Sequence, residues 1–451
     1  MYKEKGDLVL TRRDFLKLAS VTSLAYGCSQ NRLVSVRPAS EAVTSYQLKL
    51  LSDQDGVIGE LSPLEKLLDS EIYESPIGLV NAHLGGDLEI GNFAFVVDPS
   101  YLLETVNEEQ LIATVNSRKG IANQDLNKIR DVSDKAVWAM GNGRFGAAVI
   151  ETDRNLTYQR IKTMINLLSD RGVDLFIIGN EPNDPNTPWR NDFNRIYQYC
   201  SMATRALKEL DKPGEISPPG LAYYGDGGYL GRFLDYSTNR ANQNSEKLPF
   251  SVVSDHIYCA VDNVVDRIRS IQSEISKRGL KLKYYVTELG FPERLIDDSV
   301  VDNTLAECFI APCLASVMGS RVVDRLFFYT LLDTTNPGLS LIATQNGEVK
   351  PKSTYQAWKV LAKTFARIRN CSIQNLQDLI RISGKRADGI SISVVCSKLV
   401  GQNVTVPTLP REKVFDVFGQ PCALQDGQLL LQPRPASDLT GPAKIIISES
   451  R

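Results

Sequence analysis

Histidine, tryptophan and methionine are scarce in this chain of 451 residues, which contains two, three and five of them respectively. Its eight cysteines form no Cys-x-x-Cys pair, and no His or Cys residues occur at metal-ligand spacing. Because structural and catalytic zinc sites need several such ligands, we expect no bound metal. No Gly-rich nucleotide-binding pattern follows a first strand, which disfavours a nucleotide-binding fold. We expect no cofactor.

The sequence also lacks long apolar runs and an excess of one charge. No stretch of roughly eighteen apolar residues occurs, which excludes a permanent membrane-spanning helix. Lys plus Arg number 51 and Asp plus Glu number 53, for a net charge of −2. Such a balance provides no general field to hold nucleic acid or an anionic membrane surface. We expect a neutral substrate, no nucleic-acid partner and a monomer.

The first 27 residues are typical of an export signal, with a basic head, a short weakly apolar run and small residues at its end. The segment Thr11-Arg12-Arg13-Asp14-Phe15-Leu16-Lys17 resembles the twin-arginine export motif at every position. Ala25-Tyr26-Gly27-Cys28 resembles a lipobox, which implies lipidation of Cys28 and a location in the periplasm or cell envelope. One alternative is cleavage of the signal without lipidation, because Tyr26 is bulkier than the lipobox pattern favours. Another is that this segment forms an ordinary amphipathic first helix.

Residues 28–75 are interpreted as the anchor cysteine, a polar linker and an N-terminal extension, part of which could add a strand or a helix to the fold. From residue 76 to 366, short apolar runs alternate with helical patterns. The predicted strands are Ile77–Asn81, Ala136–Met140, Val173–Ile178, Ser251–Ser254, Lys283–Thr287 and Arg325–Thr330. Continuous apolar runs are expected of parallel strands that are covered on both faces.

Helices with a recurrence of 3.6 residues lie between these strands. They are predicted at Tyr158–Ser169, Phe193–Leu210, Val264–Lys277, Leu305–Met318 and Thr354–Ala366. The alternation indicates an α/β fold, either a (β/α)8 TIM barrel or a doubly wound sheet. Without a phosphate-binding glycine pattern, the barrel is favoured.

Residues 370–451 show alternating or β-branched runs separated by Gly, Asp-Gly and Pro turns, which predict a C-terminal antiparallel β-sandwich. The runs are Leu379–Ser383, Gly389–Val394, Asn403–Val406 and Lys444–Ser448. Three cysteines fall in this region, and one pair of them could form a disulfide, although burial as small apolar side chains is the more common outcome: Cys371, Cys396 and Cys422.

Two glutamates come at the ends of predicted strands of the same sheet. Glu181 follows the strand Val173–Ile178 in Gly179-Asn180-Glu181-Pro182-Asn183, and Glu288 ends a later strand in Val286-Thr287-Glu288-Leu289-Gly290. The carboxyl ends of barrel strands are where such enzymes assemble their chemistry. Two carboxylates placed there are the minimum for glycoside hydrolysis, in which one donates a proton and the other attacks the sugar.

Four segments, in order, resemble clan A glycoside hydrolases. Asn180-Glu181-Pro182 is similar to the acid/base signature of strand four, and Thr287–Gly290 to the nucleophile segment of strand seven. Asp255-His256-Ile257-Tyr258 resembles the His-x-Tyr that ends strand six, and Gly338–Pro351 the segment after strand eight. The resemblance spans roughly residues 76–448, including an accessory sandwich.

The resemblance implies a retaining mechanism with Glu181 as acid/base and Glu288 as nucleophile. It also implies that Asn180 holds the sugar 2-hydroxyl and that Tyr258 orients Glu288. Clan members commonly have Trp at the end of strand eight, where this chain has Phe328 and Tyr329. Further candidate sugar contacts, each with a structural alternative, are His256, Trp189, Tyr224 and His83.

The sequence therefore predicts an exported β-glycosidase or endoglycanase whose partner is a carbohydrate. One alternative is a non-catalytic carbohydrate-binding envelope lipoprotein on a degenerate barrel, motivated by the missing strand-eight Trp. Another is an inverting hydrolase or other barrel enzyme that uses the same two carboxylates. The distance between the two carboxyl groups distinguishes a retaining from an inverting enzyme, because about 5–5.5 Å indicates retention and about 6.5–9.5 Å indicates inversion.

Overall fold

The computed structural model of the chain describes residues 61–68, 75–80, 93–97, 136–140, 154–170, 173–184, 192–222, 228–292, 295, 302–330, 340–345 and 348–448. The predicted signal segment 1–27, Cys28 and the linker that follows lie outside these residues. Among the helices of the described ranges, none combines the length and the apolar character needed to cross a bilayer.

A sheet of eight parallel strands forms the centre of the molecule. The strands are β1 (Ile77–Val80), β2 (Phe93–Val97), β3 (Ala136–Met140), β4 (Val173–Ile178), β5 (Glu215–Ser217), β6 (Val252–Ile257), β7 (Lys283–Leu289) and β8 (Arg325–Phe328). Their order is β5-β4-β3-β2-β1-β8-β7-β6. The outer strands β5 and β6 are themselves linked, since Ser251 N–H donates to Ile216 O at 3.0 Å and His256 N–H to Leu221 O at 2.9 Å. The strands therefore form a closed cylinder.

Alternating side chains of the strands fill two different layers. Leu175, Ile177, Val252, Tyr285 and Phe327 form a cluster inside the cylinder. Their neighbours along the strands, such as Phe176 and Val253, pack outward in the large core shared with the helices. Because both faces of each strand are covered by apolar groups, these strands are continuous apolar runs in the sequence.

Helices surround the cylinder, and their buried side chains complete the outer layer. In the described ranges they are α1 (Pro63–Leu68), α2 (Arg154–Ser169), α3 (Phe193–Glu209), α4 (Tyr229–Gln243), α5 (Val261–Ser276), α6 (Asp302–Leu305), α7 (Ala311–Gly319) and α8 (Ser353–Phe365). A two-stranded hairpin, β9 (Ile342–Gln345) and β10 (Glu348–Pro351), precedes α8. The chain after α8 contains strands only among the described elements.

A π-helical segment, Ala306–Ile310, lies between α6 and α7. Its carbonyl groups bind the C-terminal region: Cys308 O accepts from Thr440 N–H at 3.0 Å, and Glu307 O accepts from Ala443 N–H at 2.9 Å. A π turn leaves backbone carbonyls without their usual helical partners, and here two of them join distant parts of the chain.

The C-terminal region consists of two antiparallel sheets. One has the order β11 (Ile368–Asn375), β12 (Leu379–Arg386), β13 (Ser391–Ser397), β17 (Lys444–Ser448) and β15 (Lys413–Phe415); the other pairs β14 (Val404–Pro407) with β16 (Gln428–Leu431). An apolar cluster that includes Val395, Val406, Leu429 and Ile446 packs between them. The opposite face of the larger sheet joins the core around α7.

All six strands and four of the five helices predicted for residues 76–366 are present, with ends that differ by a few residues. The helix predicted at Leu305–Met318 is interrupted by the π-helical segment Ala306–Ile310. Two strands of the sheet were not among those predicted, namely β2 and the three-residue β5, which ends at Ser217. The described cysteines of the C-terminal region, Cys371, Cys396 and Cys422, are free. Cys371 and Cys396 are buried small side chains, the alternative given above to a disulfide.

Candidate functional site

Glu181 lies directly beyond the carboxyl end of β4. Its N–H donates to Gly220 O at 2.8 Å, and Asn180 forms a parallel bridge with Gly220. Gly179 has φ 85° and Glu181 has φ 43°, so the chain turns sharply as it leaves the strand. The hydrogen bond to the neighbouring segment and this turn together direct the Glu181 side chain toward the end of the cylinder.

Glu288 lies at the same end of the sheet, near the end of β7. The pairing of β7 shifts register on both sides, between Asp255 and His256 of β6 and between Val286 and Leu289 opposite β8. Such irregularities bend a strand locally and change the direction of its side chains. Here the bend leaves Glu288 opposite His256, with 16% of its side chain exposed.

The imidazole of His256 lies between the two carboxylates. Its Nδ1 is 3.0 Å from Glu181 Oε1 and 3.5 Å from Glu288 Oε2. One ligand atom from each of the three residues lies within 4.8 Å of the other two. The hydroxyl of Tyr258 donates to Glu288 Oε2 at 2.5 Å. Residues from β4, β6 and β7 thus converge on one small volume at the carboxyl ends of the strands.

Two glycines permit this packing. A Cβ at Gly220 would lie 2.2 Å from Nε2 of His256, and a Cβ at Gly290 would lie 2.3 Å from Cε1 of Tyr258. Either contact is closer than atoms can approach without displacement. The rings of His256 and Tyr258 therefore pack directly against the backbone of Gly220 and Gly290, which fixes their orientation relative to the carboxylates.

The protonation of His256 depends on opposing effects. Burial lowers the pKa of this imidazole, while the carboxylates of Glu288 and Glu181 raise it, and the net shift is upward. A positive charge on the ring is therefore favoured by the two acids that it contacts. Since one ring nitrogen faces both carboxylates, His256 links their protonation states.

A second, largely buried network supports β6 next to His256. Arg267 of α5 binds Asp255 with two bonds, Nε to Oδ2 at 2.9 Å and Nη2 to Oδ1 at 2.6 Å. Tyr284 of β7 donates to Asp255 Oδ2 at 3.0 Å. Because Asp255 has no exposed surface, these charge-assisted bonds replace its hydration.

Glu181, His256 and Glu288 also offer the imidazole nitrogen and carboxylate oxygens that Zn²⁺ accepts. In this structure the same atoms are hydrogen-bonded to one another and to Tyr258. This arrangement fits a proton-transfer site.

The structure brings together five of the residues predicted from the sequence: Glu181, Glu288, Asn180, His256 and Tyr258. Tyr329 also lies near them, with its ring centroid 6.2 Å from that of Tyr258. Phe328 is different, because its side chain has no exposed surface and packs in the outer core against Phe291, with ring centroids 5.3 Å apart. The prediction of Phe328 as a sugar contact is therefore corrected: alternation along β8 turns it away from the site.

Trp189, Tyr224, His83 and Cys28 lie outside the described residues. Sequence reasoning missed three supporting features, namely Gly220, the Asp255–Arg267 pair and Asn183. Asn183 was visible as the residue after Asn-Glu-Pro, whereas Gly220 carries no signal without knowledge of which ring it faces.

Comparison with known proteins shows what this fold resembles. No protein-family model matches the chain, and no curated protein matches its sequence. Among solved structures, a family 39 glycoside hydrolase from Bacteroides cellulosilyticus WH2 is 13% identical with a TM-score of 0.56, covering 84% of this chain and 82% of its own. A glucosidase from Croceicoccus marinus is 13% identical with a TM-score of 0.53, covering 85% and 92%.

The catalytic domain of GH30 xylanase C from Talaromyces cellulolyticus is 10% identical with a TM-score of 0.51, covering 86% of this chain and 94% of that one. The chain therefore shares its fold with these glycoside hydrolases along most of its length. At these identities the likeness concerns the fold alone.

Proposed function

We propose that this protein is a glycoside hydrolase that cleaves β-glycosidic bonds with retention, with Glu181 as general acid/base and Glu288 as nucleophile. The observation that carries the proposal is that Glu181, beyond the end of β4, and Glu288, of β7, converge on His256, with one carboxylate oxygen of each within 4.8 Å of the other. This close spacing supports retention, since inverting enzymes separate their carboxyl groups by about 6.5–9.5 Å to admit a water.

In the first step, a carboxylate oxygen of Glu288 bonds to the anomeric carbon while the bond from that carbon to the glycosidic oxygen breaks. Glu181 gives its proton to the departing oxygen, which leaves as an alcohol. In the second step, Glu181 takes a proton from water, the water oxygen bonds to the anomeric carbon, and the ester to Glu288 breaks. Atoms and charges balance without any further reactant.

The surrounding residues support these roles. Tyr258 donates to Glu288 Oε2 at 2.5 Å, which orients the carboxylate. His256 contacts both acids through Nδ1 and limits their movement. Asn180, next to Glu181, is proposed to bind the sugar 2-hydroxyl, and Tyr329 to contribute an aromatic wall.

A direct test is a screen of the protein against polysaccharides and aryl β-glycosides, with the product anomer followed by NMR. Because two of the similar structures are described as a xylanase and a glucosidase, xylosides and glucosides are the first substrates to try. We expect initial release of the β-anomer. Release of the α-anomer would indicate inversion, and sugar binding without turnover would favour the non-catalytic alternative.

Variants identify the residues responsible. Glu181→Gln and Glu288→Gln should each abolish hydrolysis of the glycan that the wild-type protein cleaves, because each removes one of the two required carboxyl groups. Glu209→Gln is the matched control, since Glu209 is an exposed residue of α3 that pairs with Lys162 and Arg205. Full activity in either site variant would contradict the assignment.

We further propose that the protein is exported by the twin-arginine route and tethered through lipid on Cys28 in the periplasm or cell envelope. The motif at Arg12-Arg13 and the small residues before Cys28 support this. Replacement of both arginines by lysine should block export, and Cys28→Ala should move the protein from the membrane fraction to the soluble one. Unchanged fractionation in both variants would refute the proposal.

A further inference from the structure

The side chain of Asn183 joins the loop after β4 to the segment after β5. Its Nδ2 donates to Ala222 O at 2.8 Å, and its Oδ1 accepts from Ala222 N–H at 2.7 Å. Ala222 has no exposed surface, so one amide satisfies both backbone groups of a residue that water does not reach. Two parallel bonds also fix the orientation of the loop, which a single bond would leave free to rotate.

This clamp is two residues from Glu181, which has a left-handed backbone conformation at φ 43°. That conformation is sterically unfavourable for a residue with a Cβ, and it persists where neighbouring bonds hold it. Glu181 N–H donates to Gly220 O at 2.8 Å, and Asn183 binds Ala222. The loop that carries Glu181 is thus attached at two points to the same segment, residues 220–222.

We propose that Asn183 is a positioning residue for the general acid/base, and that it acts by holding Glu181 over the glycosidic oxygen. The inference rests on the proposed function. Asn183 touches no reacting atom, because both ends of its amide are bonded to Ala222. Without the clamp, the turn at Glu181 relaxes and its carboxyl group moves, whereas Glu288 on β7 keeps its partner Tyr258.

Displacement of Glu181 should affect substrates with poor leaving groups more than substrates with good ones. Departure of a poor leaving group needs a proton from a correctly placed acid, while a dinitrophenolate leaves without one. A misplaced Glu181 therefore slows the first group of substrates much more than the second. A general loss of structure would slow all of them equally.

The test uses Asn183→Ala and a series of aryl β-glycosides of the sugar that the wild-type protein hydrolyses. We expect kcat/KM to fall about 10- to 100-fold for the phenyl glycoside, as for a catalytic group displaced by an ångström, and less than about threefold for the dinitrophenyl glycoside. Added azide, which attacks without a general base, should raise kcat of the variant on the dinitrophenyl substrate and yield the glycosyl azide.

Arg267 also donates to Ala222 O, at 3.5 Å, so that this carbonyl keeps a partner in the variant. Asn183→Asp, which retains an acceptor for Ala222 N–H, provides a second variant. We expect its loss of kcat/KM to depend on the leaving group in the same way but to be smaller. Asn194→Ala is the control, because Asn194 is an exposed residue of α3 that binds Gln198 and Tyr236, and no change is expected.

An equal loss of kcat/KM on all leaving groups, or no loss, would overturn the role of Asn183. Absence of hydrolysis by the wild-type protein would instead contradict the proposed function, so the two failures are distinguishable.

Discussion

At the scale of single residues, the site depends on a few short contacts around two carboxylates. Tyr258 binds Glu288, and His256 lies between Glu288 and Glu181. The sequence predicted all four of these residues, because each comes at the end of an apolar strand in a recognisable motif. It could not predict that one nitrogen of His256 contacts both acids, since that depends on register shifts in β6 and β7.

Tyr258→Phe should lower kcat/KM by roughly 10- to 100-fold. The change removes the hydroxyl that donates to Glu288 Oε2, and a hydrogen bond to a charged group contributes roughly 1.5–3 kcal/mol. The ring remains, so the melting temperature should stay close to that of the wild-type protein. The control is Tyr236→Phe, which removes an exposed hydroxyl bound to Asn194 and should leave kcat/KM unchanged. Unchanged activity in Tyr258→Phe would show that the bond has no catalytic role.

His256 should titrate above the ordinary histidine value of 6.5. Burial lowers its pKa, but Glu288 and Glu181 raise it more. A raised pKa in the folded state means that protonation stabilises the protein fully below pH 6.5, the unfolded value, and that this stabilisation is lost as pH rises through the folded pKa. The free energy of unfolding lost in His256→Gln should therefore shrink as pH increases through that window.

Proton NMR can measure this titration directly. The chain has only two histidines, so there are two imidazole Cε1–H resonances, and His256→Gln assigns one of them. A midpoint at or below 6.5 for that resonance would contradict the account.

At the scale of elements, the carboxyl ends of the parallel strands position the site. Glycine at positions 220 and 290 leaves room there for the rings of His256 and Tyr258. Continuous apolar runs predicted six of the eight strands of the sheet, because these strands are apolar on both faces, and the recurrence of 3.6 residues predicted the helices. These patterns failed at β5, whose three residues are too few to form a pattern, and at Ala306–Ile310, where a continuous helix was expected. The π turn there is stabilised by Thr440 and Ala443, which are far away in the sequence.

Gly290→Ala should reduce activity at least about tenfold, because the new Cβ would lie 2.3 Å from Tyr258 Cε1 and must displace the ring from Glu288. Gly279→Ala provides the contrast. Gly279 has φ 62° and no atoms near its Cβ position, so alanine there should cost on the order of 1 kcal/mol of stability while kcat is retained. Kinetics and urea denaturation on both variants separate the effects. Equal kcat in the two variants would contradict the role assigned to Gly290.

At the scale of the whole molecule, the C-terminal sheets and the N-terminal helix α1 pack as one body with the cylinder. Arg386 of β12 has 2% of its surface exposed and donates to Lys363 O of α8 at 2.9 Å and to Leu68 O of α1 at 3.1 Å. It also pairs with Asp388 at 2.7 Å. The sequence predicted separate regions but not this junction, because the contact between Arg386 and Leu68 joins residues more than three hundred positions apart.

Arg386→Leu should destabilise the protein by about 2–4 kcal/mol, since it removes a buried guanidinium that binds the carbonyls of Lys363 and Leu68 and pairs with Asp388. Activity per folded molecule should be unchanged, because Arg386 belongs to the junction with the C-terminal sheets. Arg369→Leu, at an exposed position of β11, is the matched control and should change stability little. Urea unfolding monitored by fluorescence measures both, and equal stability of the two variants would contradict this view of the junction.

The most direct measurement for the central claim is trapping of the covalent intermediate. A dinitrophenyl glycoside whose 2-hydroxyl is replaced by fluorine reacts in the first step and then hydrolyses slowly, so the sugar stays on the nucleophile. Intact-mass spectrometry should show addition of one fluorosugar, and peptide mapping should place it on Glu288. Turnover of the parent glycoside with no labelled protein, or a label on any other residue, would contradict the account.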